Sequence, residues 1–136
     1  MQKKKPALTH PYDKNYFNPP APALEVSLST PDPTIHNQNV KLLGLLDSGA
    51  DMTVIPGWIV QQLQLRYVDE VLAGGYNEAP KRTFVYSVKI LLANLGDYTM
   101  KVIASEKDQH VLIGRDILNK WSLFLKGRDE IFEVLN

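Results

Sequence analysis

The segment Leu45-Leu46-Asp47-Ser48-Gly49-Ala50-Asp51-Met52-Thr53-Val54-Ile55-Pro56 sets a carboxylate, a hydroxyl and a glycine in succession between two apolar runs. A carboxylate delivered on a turn at the end of a strand can act as a base toward water. Asp-Ser-Gly also closes ordinary turns, so the flanking apolar pattern is what sets the segment apart. The chain has no cysteine, which excludes disulfides, thiolate metal sites and a thiol nucleophile. His10, His36 and His110 stand on separate segments with no H-E-x-x-H pattern, so the sequence predicts no metal centre.

The elements that must hold this segment read mainly as strands. Leu24, Val26 and Leu28 alternate with Glu25, Ser27 and Ser29 at period 2. Val40–Leu46 is an apolar strand ending at Asp47, and Thr53-Val54-Ile55 is a short β-branched piece stopped by Pro56. Trp58–Leu63 reads as a short helix. Arg66–Leu72 precedes Gly74-Gly75-Tyr76-Asn77. Thr83–Leu92 and Tyr98–Ala104, joined by Asn94-Leu95-Gly96-Asp97, form a hairpin with Phe84, Tyr86, Val88 and Ile90 expected on one face. His110–Ile113 is a further strand, Asp116–Trp121 one or two helical turns, and Ser122–Lys126 with Ile131–Leu135 a closing hairpin. About eight strands and two short helices predict a mostly-β barrel or sandwich. Trp58 and Trp121 are read as packing residues.

Two blocks carry a resemblance. Asp47-Ser48-Gly49-Ala50 between hydrophobic runs resembles the active-site motif of retropepsin-like aspartic proteases. Val111-Leu112-Ile113-Gly114-Arg115-Asp116-Ile117-Leu118 resembles that family's apolar-apolar-Gly-Arg-Asn/Asp block, 67 residues on from Asp47 to Gly114. Gly74-Gly75-Tyr76-Asn77 lies where the family's flap hairpin belongs, although Glu78-Ala79-Pro80-Lys81-Arg82 makes it longer and more polar. The resemblance covers residues 23–136, and the Asn18–Pro22 lead-in looks most like bacterial single-domain members.

The resemblance implies a closed β-barrel-like acid-protease fold with one or two short helices, active as a two-fold homodimer. It implies an aspartic endopeptidase acting on an extended peptide or protein, with no cofactor and no metal. Such catalysis needs two carboxylates sharing one proton across a water. A chain with one Asp-Ser-Gly must take the second from another copy. Asp47 is the implied catalytic residue, with Ser48 and Gly49 in support. Gly49, Ala50, Asp51, Gly74, Gly75 and Tyr76 are the implied substrate-binding residues. Asp51 and Arg115 are the implied structural pair, expected to be buried, and Asp116 is expected to cap the C-terminal helix. The hairpin Trp121–Leu135 is the expected dimer contact. The competing reading is a catalytically silent peptide-binding domain of the same fold.

Length and charge bound the rest. The chain has 136 residues, which suits one domain behind a proline-rich arm at residues 1–22. Tyr12, Tyr16 and Phe17 are placed to pin that arm to the surface. Fifteen Lys+Arg balance fifteen Asp+Glu, so no electrostatic argument favours nucleic acid or a membrane surface. The Lys3-Lys4-Lys5 run precedes no apolar stretch and reads as a solvated end rather than a signal peptide, and no run approaches a membrane span. A cytoplasmic location is the corresponding expectation.

Overall fold

The computed structural model describes residues 5–35 and 38–135. Lys3, Lys4 and His36, which the sequence reading uses, lie outside the described residues. Among the described residues the strands are β1 (Leu8–Pro11), β2 (Ala23–Ser29), β3 (Val40–Leu46), β4 (Val54–Pro56), β5 (Tyr67–Ala73), β6 (Lys81–Leu91), β7 (Asp97–Ser105), β8 (Val111–Ile113), β9 (Ser122–Lys126) and β10 (Ile131–Leu135). Two short α-helices, α1 (Trp58–Gln62) and α2 (Arg115–Leu118), and two 3-10 turns at Ala93–Leu95 and Gly127–Asp129 complete the regular structure.

Period-2 alternation in β2 buries Leu24, Val26 and Leu28, and this face begins the core. The main sheet runs β2-β3-β8-β4-β7-β6-β5. An added β2–β6 pairing, Ser27 to Ser29 against Leu91 to Lys89, closes six of these strands into a barrel and leaves β5 outside on β6. Closure removes the exposed edges that an open sheet of this length would carry. The mostly-β, closed-barrel architecture agrees with the sequence reading.

Along β6 the inward face changes. Val85, Val88 and Ile90 are buried, whereas Phe84, which alternation puts on the same face as Val88 and Ile90, is exposed. The strand serves two settings: residues 81–86 pair with β5 outside the barrel, and residues 89–91 close the barrel on β2.

A separate three-stranded sheet has the order β1-β10-β9. Proline confines the arm to an edge position, and β1 is such an edge, paired antiparallel with β10 from Leu8↔Val134 to Pro11↔Ile131. Phe132 on β10 is fully buried, with the His10 ring stacked at 5.3 Å and the Tyr12 ring at 6.4 Å. Tyr16 and Phe17 bracket His110, with ring centroids at 6.0 and 5.2 Å. The arm is thus bound to the domain by strand pairing and by aromatic contacts. Trp121 packs against the core, whereas Trp58 is exposed.

Candidate active site

Three strand ends meet at Asp47. β3 and β8 run parallel, with Leu46 beside Ile113, and the Asp47 N–H donates to the Ile113 carbonyl at 2.9 Å. β4 lies antiparallel to β8 at Val54↔Leu112. The chain leaving β3 therefore has six residues, Asp47 to Met52, in which to turn back before Thr53 and β4.

The turn satisfies itself through Asp47. Its carbonyl accepts the Ala50 N–H at 3.1 Å, and its Oδ1 accepts the Gly49 N–H at 3.0 Å. A Cβ at Gly49 would come within 3.2 Å of that same Oδ1, so the turn is tightest where glycine stands. Asp47 is half-buried, while Ser48 and Gly49 face solvent.

Arg115, the first residue of α2, clamps the loop from the far side. Its backbone N–H donates to the Ala50 carbonyl at 2.9 Å, and its Nη1 donates to the Ser48 carbonyl at 2.7 Å. Its Nη2 pairs with Asp51 Oδ1. The pair is not the buried one expected: the side chains are 43% and 85% exposed for Arg115 and Asp51. The planar guanidinium serves the Ser48 carbonyl and Asp51 together, in contact with solvent.

Asp116 does not cap the C-terminal helix. Gly114 holds the N-cap position without a side-chain hydrogen bond. The Asp116 carboxylate instead accepts the Thr53 N–H at 2.9 Å and the Thr53 hydroxyl at 2.7 Å. The fully buried Thr53 hydroxyl in turn accepts the Gly114 N–H at 3.1 Å. A Cβ on Gly114 would lie 2.7 Å from the Met52 carbonyl carbon, so only glycine lets the two loops approach this closely. Thr53 escaped the sequence reading because its partners lie 61 and 63 residues away and no local pattern signals them.

The structure brings Asp47, Ser48, Gly49, Ala50, Asp51 and Arg115 into one hydrogen-bonded unit. It places Gly74, Gly75 and Tyr76 elsewhere, at the tip of the β5–β6 hairpin. Tyr76 is 94% exposed there. Among the described residues no hydrogen bond or ion pair joins these three to residues 47–51. No group of three His, Cys, Asp or Glu side chains among the described residues is arranged to hold a metal. Among the same residues no helix is long and apolar enough to cross a membrane.

Residues 32–120 match the family described as "gag-polyprotein putative aspartyl protease". No curated protein matches the sequence. A retropepsin-like aspartic protease from Rickettsia conorii aligns with a TM-score of 0.56 at 11% identity, covering 98% of this chain and 96% of that one. EIAV protease, solved with the inhibitor HBY-793, aligns at 0.52 with 20% identity, covering 74% of this chain and 86% of that one. Simian foamy virus protease aligns at 0.52 with 20% identity, covering 71% and 91%. At these identities the shared property is the fold, and it is the retropepsin-like one.

Proposed function

The chain belongs to the gag-polyprotein aspartyl protease family, and from that premise we propose that it is an aspartic endopeptidase working through Asp47 of two copies. The observation that carries this reading is the Asp47 turn itself. One carboxylate accepts the Gly49 N–H of its own loop, Arg115 ties that loop through the Ser48 carbonyl, and Ser48 and Gly49 are open to solvent beside it. A single carboxylate so placed lacks the second one that acid–base peptide hydrolysis needs, and a two-fold related copy supplies it.

In the paired site one carboxylate takes a proton from water as the water attacks the scissile carbonyl carbon. The protonated carboxylic acid donates to the carbonyl oxygen. Two carboxyls about 3 Å apart hold one proton between them, so cleavage favours acidic pH. Ser48 braces one turn against the other. The Gly49 carbonyl receives a substrate N–H, Ala50 lines the wall, and Gly74, Gly75 and Tyr76 roof an extended peptide that adds as a strand. β9 favours the dimer, because it is the outer strand of its sheet and exposes Phe124 and Leu125.

The test is cleavage of a diverse peptide pool from about pH 3.5 to about pH 8, with wild type beside Asp47→Asn. Cuts made by wild type alone support the reading. Cuts made equally by both, or a rate rising steadily toward about pH 9, contradict the dyad.

A further inference from the structure

β7 has nine residues, yet β4 covers its outer side only from Ile103 to Ser105. The Ile103 N–H donates to the Thr53 carbonyl at 3.2 Å, away from β6. Successive residues of a paired strand turn their backbone groups to opposite sides, so Lys101 and Thr99 also present N–H and C=O away from β6. Among the described residues no strand and no backbone hydrogen bond meets them on that side. A groove of about 580 Å³ runs beside this bare edge, and its walls include none of residues 47–51. Half-buried Met52, Tyr98 and Met100 make it apolar. The Tyr98 ring is held in place: its hydroxyl donates to the Leu95 carbonyl at 3.3 Å and accepts the Trp121 Nε1–H at 3.4 Å.

The unspent charge at the groove is positive. Asp97 faces Lys89 Nζ at 3.7 Å, and both Asp116 oxygens are taken by Thr53. Lys101 and Lys120 also line the groove, and among the described residues neither pairs with a carboxylate. Lys120 Nζ instead stands 5.6 Å from the centre of the Tyr98 ring. A sheet edge with unmet N–H and C=O groups takes up an extended segment, and the side chains beside it select which one. We propose that the Thr99–Lys101 edge of β7 docks an extended acidic segment of a partner protein, which adds as a strand, sets an apolar side chain against Met52 and Met100, and brings carboxylates to Lys101 and Lys120. Such docking needs no cleavage at Asp47 and stands apart from the protease reading.

The probe is an acetylated and amidated hexapeptide alternating valine and glutamate, titrated into the full chain at neutral pH and followed by amide NMR. The Thr99 and Lys101 amides are expected to shift and saturate, with those of Gly49 and Gly75 unmoved. Lys101→Gln and Lys120→Gln are each expected to weaken binding about two- to fivefold, the range that one exposed pair gives. Salt at about 1 M is expected to weaken binding to wild type and to leave the double variant nearly unmoved. A peptide alternating valine and lysine is expected not to bind. Binding unchanged in both lysine variants overturns the acidic selection.

Two comparisons separate an added strand from mere capture of charge. A peptide alternating proline and glutamate keeps the carboxylates and lacks half of the N–H donors, and it is expected to bind about tenfold more weakly. In the protein, Thr99→Pro removes an N–H that β6 does not use, so the urea midpoint is expected to hold while binding falls by about the same factor. Should Thr99→Pro fail to fold, the proline peptide carries the test. Equal binding of the proline and valine peptides overturns strand addition, and so does a response of Gly49 and Gly75 in place of Thr99 and Lys101. Thr99 and Lys101 amides that shift with protein concentration and ignore the peptide would give the edge to a second copy, and that too overturns the proposal.

Discussion

Thr53 and Asp116 are joined twice, backbone N–H to Oδ2 at 2.9 Å and hydroxyl to Oδ1 at 2.7 Å, across 63 residues of sequence. The same hydroxyl receives the Gly114 N–H at 3.1 Å, so one buried threonine locks the exit of the Asp47 loop to the entry of α2. The Asp47 carboxylate is positioned by strand ends and by this knot, not by its immediate neighbours alone.

Thr53→Val keeps the shape of the side chain and deletes that junction. It leaves the Gly114 N–H without a partner in a buried site, and such a group costs about 1–3 kcal/mol. The expected loss of unfolding free energy in urea is of that size. Thr53→Ser, which keeps the hydroxyl, is expected to recover most of it. Equal losses in both variants would mean that the methyl group, not the hydrogen bonds, matters.

Arg115→Lys separates loop geometry from stability. The Asp51 pair is exposed and contributes at most about 1 kcal/mol. A lysine, with one point charge, cannot serve both the Ser48 carbonyl and Asp51 as the guanidinium fork does. Peptide cleavage is expected to fall roughly ten- to hundredfold, as small misplacement of a reacting group does. The urea midpoint is expected to move little. A variant that unfolds early yet cleaves at the wild-type rate would assign Arg115 to the fold alone.

Much of this site was legible because its local chemistry is sequential: the strand into Asp47, the turn at Gly49 and the strand out are contiguous, and alternation in β2 gave the core face. Arg115 entered through a motif rather than through physics. What stayed hidden depends on pairing across the fold. Thr53 looked like one β-branched residue among several. Asp116 resembles a helix cap when only its neighbours in sequence are considered. β1 hid behind Pro6 and Pro11, since proline argues against strands in general while tolerating an edge. The change of inward face along β6 follows from its two sets of neighbours, which no window of residues contains.

Removing residues 1–13 tests how far the arm belongs to the domain. The deletion takes away β1 and uncovers Phe132, now covered by His10 and Tyr12. Exposing one such side chain costs about 1.5–3 kcal/mol, and lost strand pairing adds to it. A drop of about 2 kcal/mol or more is expected in urea unfolding. An unchanged midpoint would show the arm to be dispensable to the fold.

Glu78 gives a titration with a definite sign. Hydrogen bonding from Lys107, then from the Gly75 N–H, with the charges of Lys107 and Lys81 adding to it, holds its carboxyl below the ordinary glutamate value of 4.5. A depressed folded value means the contribution is complete above the unfolded value and is lost only as pH falls through the lower folded one. The Glu78–Lys107 contact therefore outlasts the pH at which a free glutamate is half protonated. Carboxyl carbon shifts followed by NMR are expected to show this, with the midpoint moving up in Lys107→Met. A midpoint that does not move would mean that Lys107 leaves the carboxyl unaffected.

The proposed dimer is tested on β9. Cutting the chain before β10 is the less informative experiment, because it also removes the buried Phe132 and Val134 and strips β1 of its partner. Point charges on the open edge avoid this. Leu125 is exposed on the outer strand, where like charges facing each other across a two-fold axis repel. Leu125→Glu and Leu125→Lys are each expected to sediment as folded monomers and to lose peptide cleavage, since each monomer offers only one Asp47. Mixed in equal amounts, the two bring opposite charges together, and both dimer and cleavage are expected to return. If each variant alone remains a dimer, the copies meet elsewhere. If the mixture forms dimers that still cut nothing, β9 joins the copies without bringing the two Asp47 side chains together.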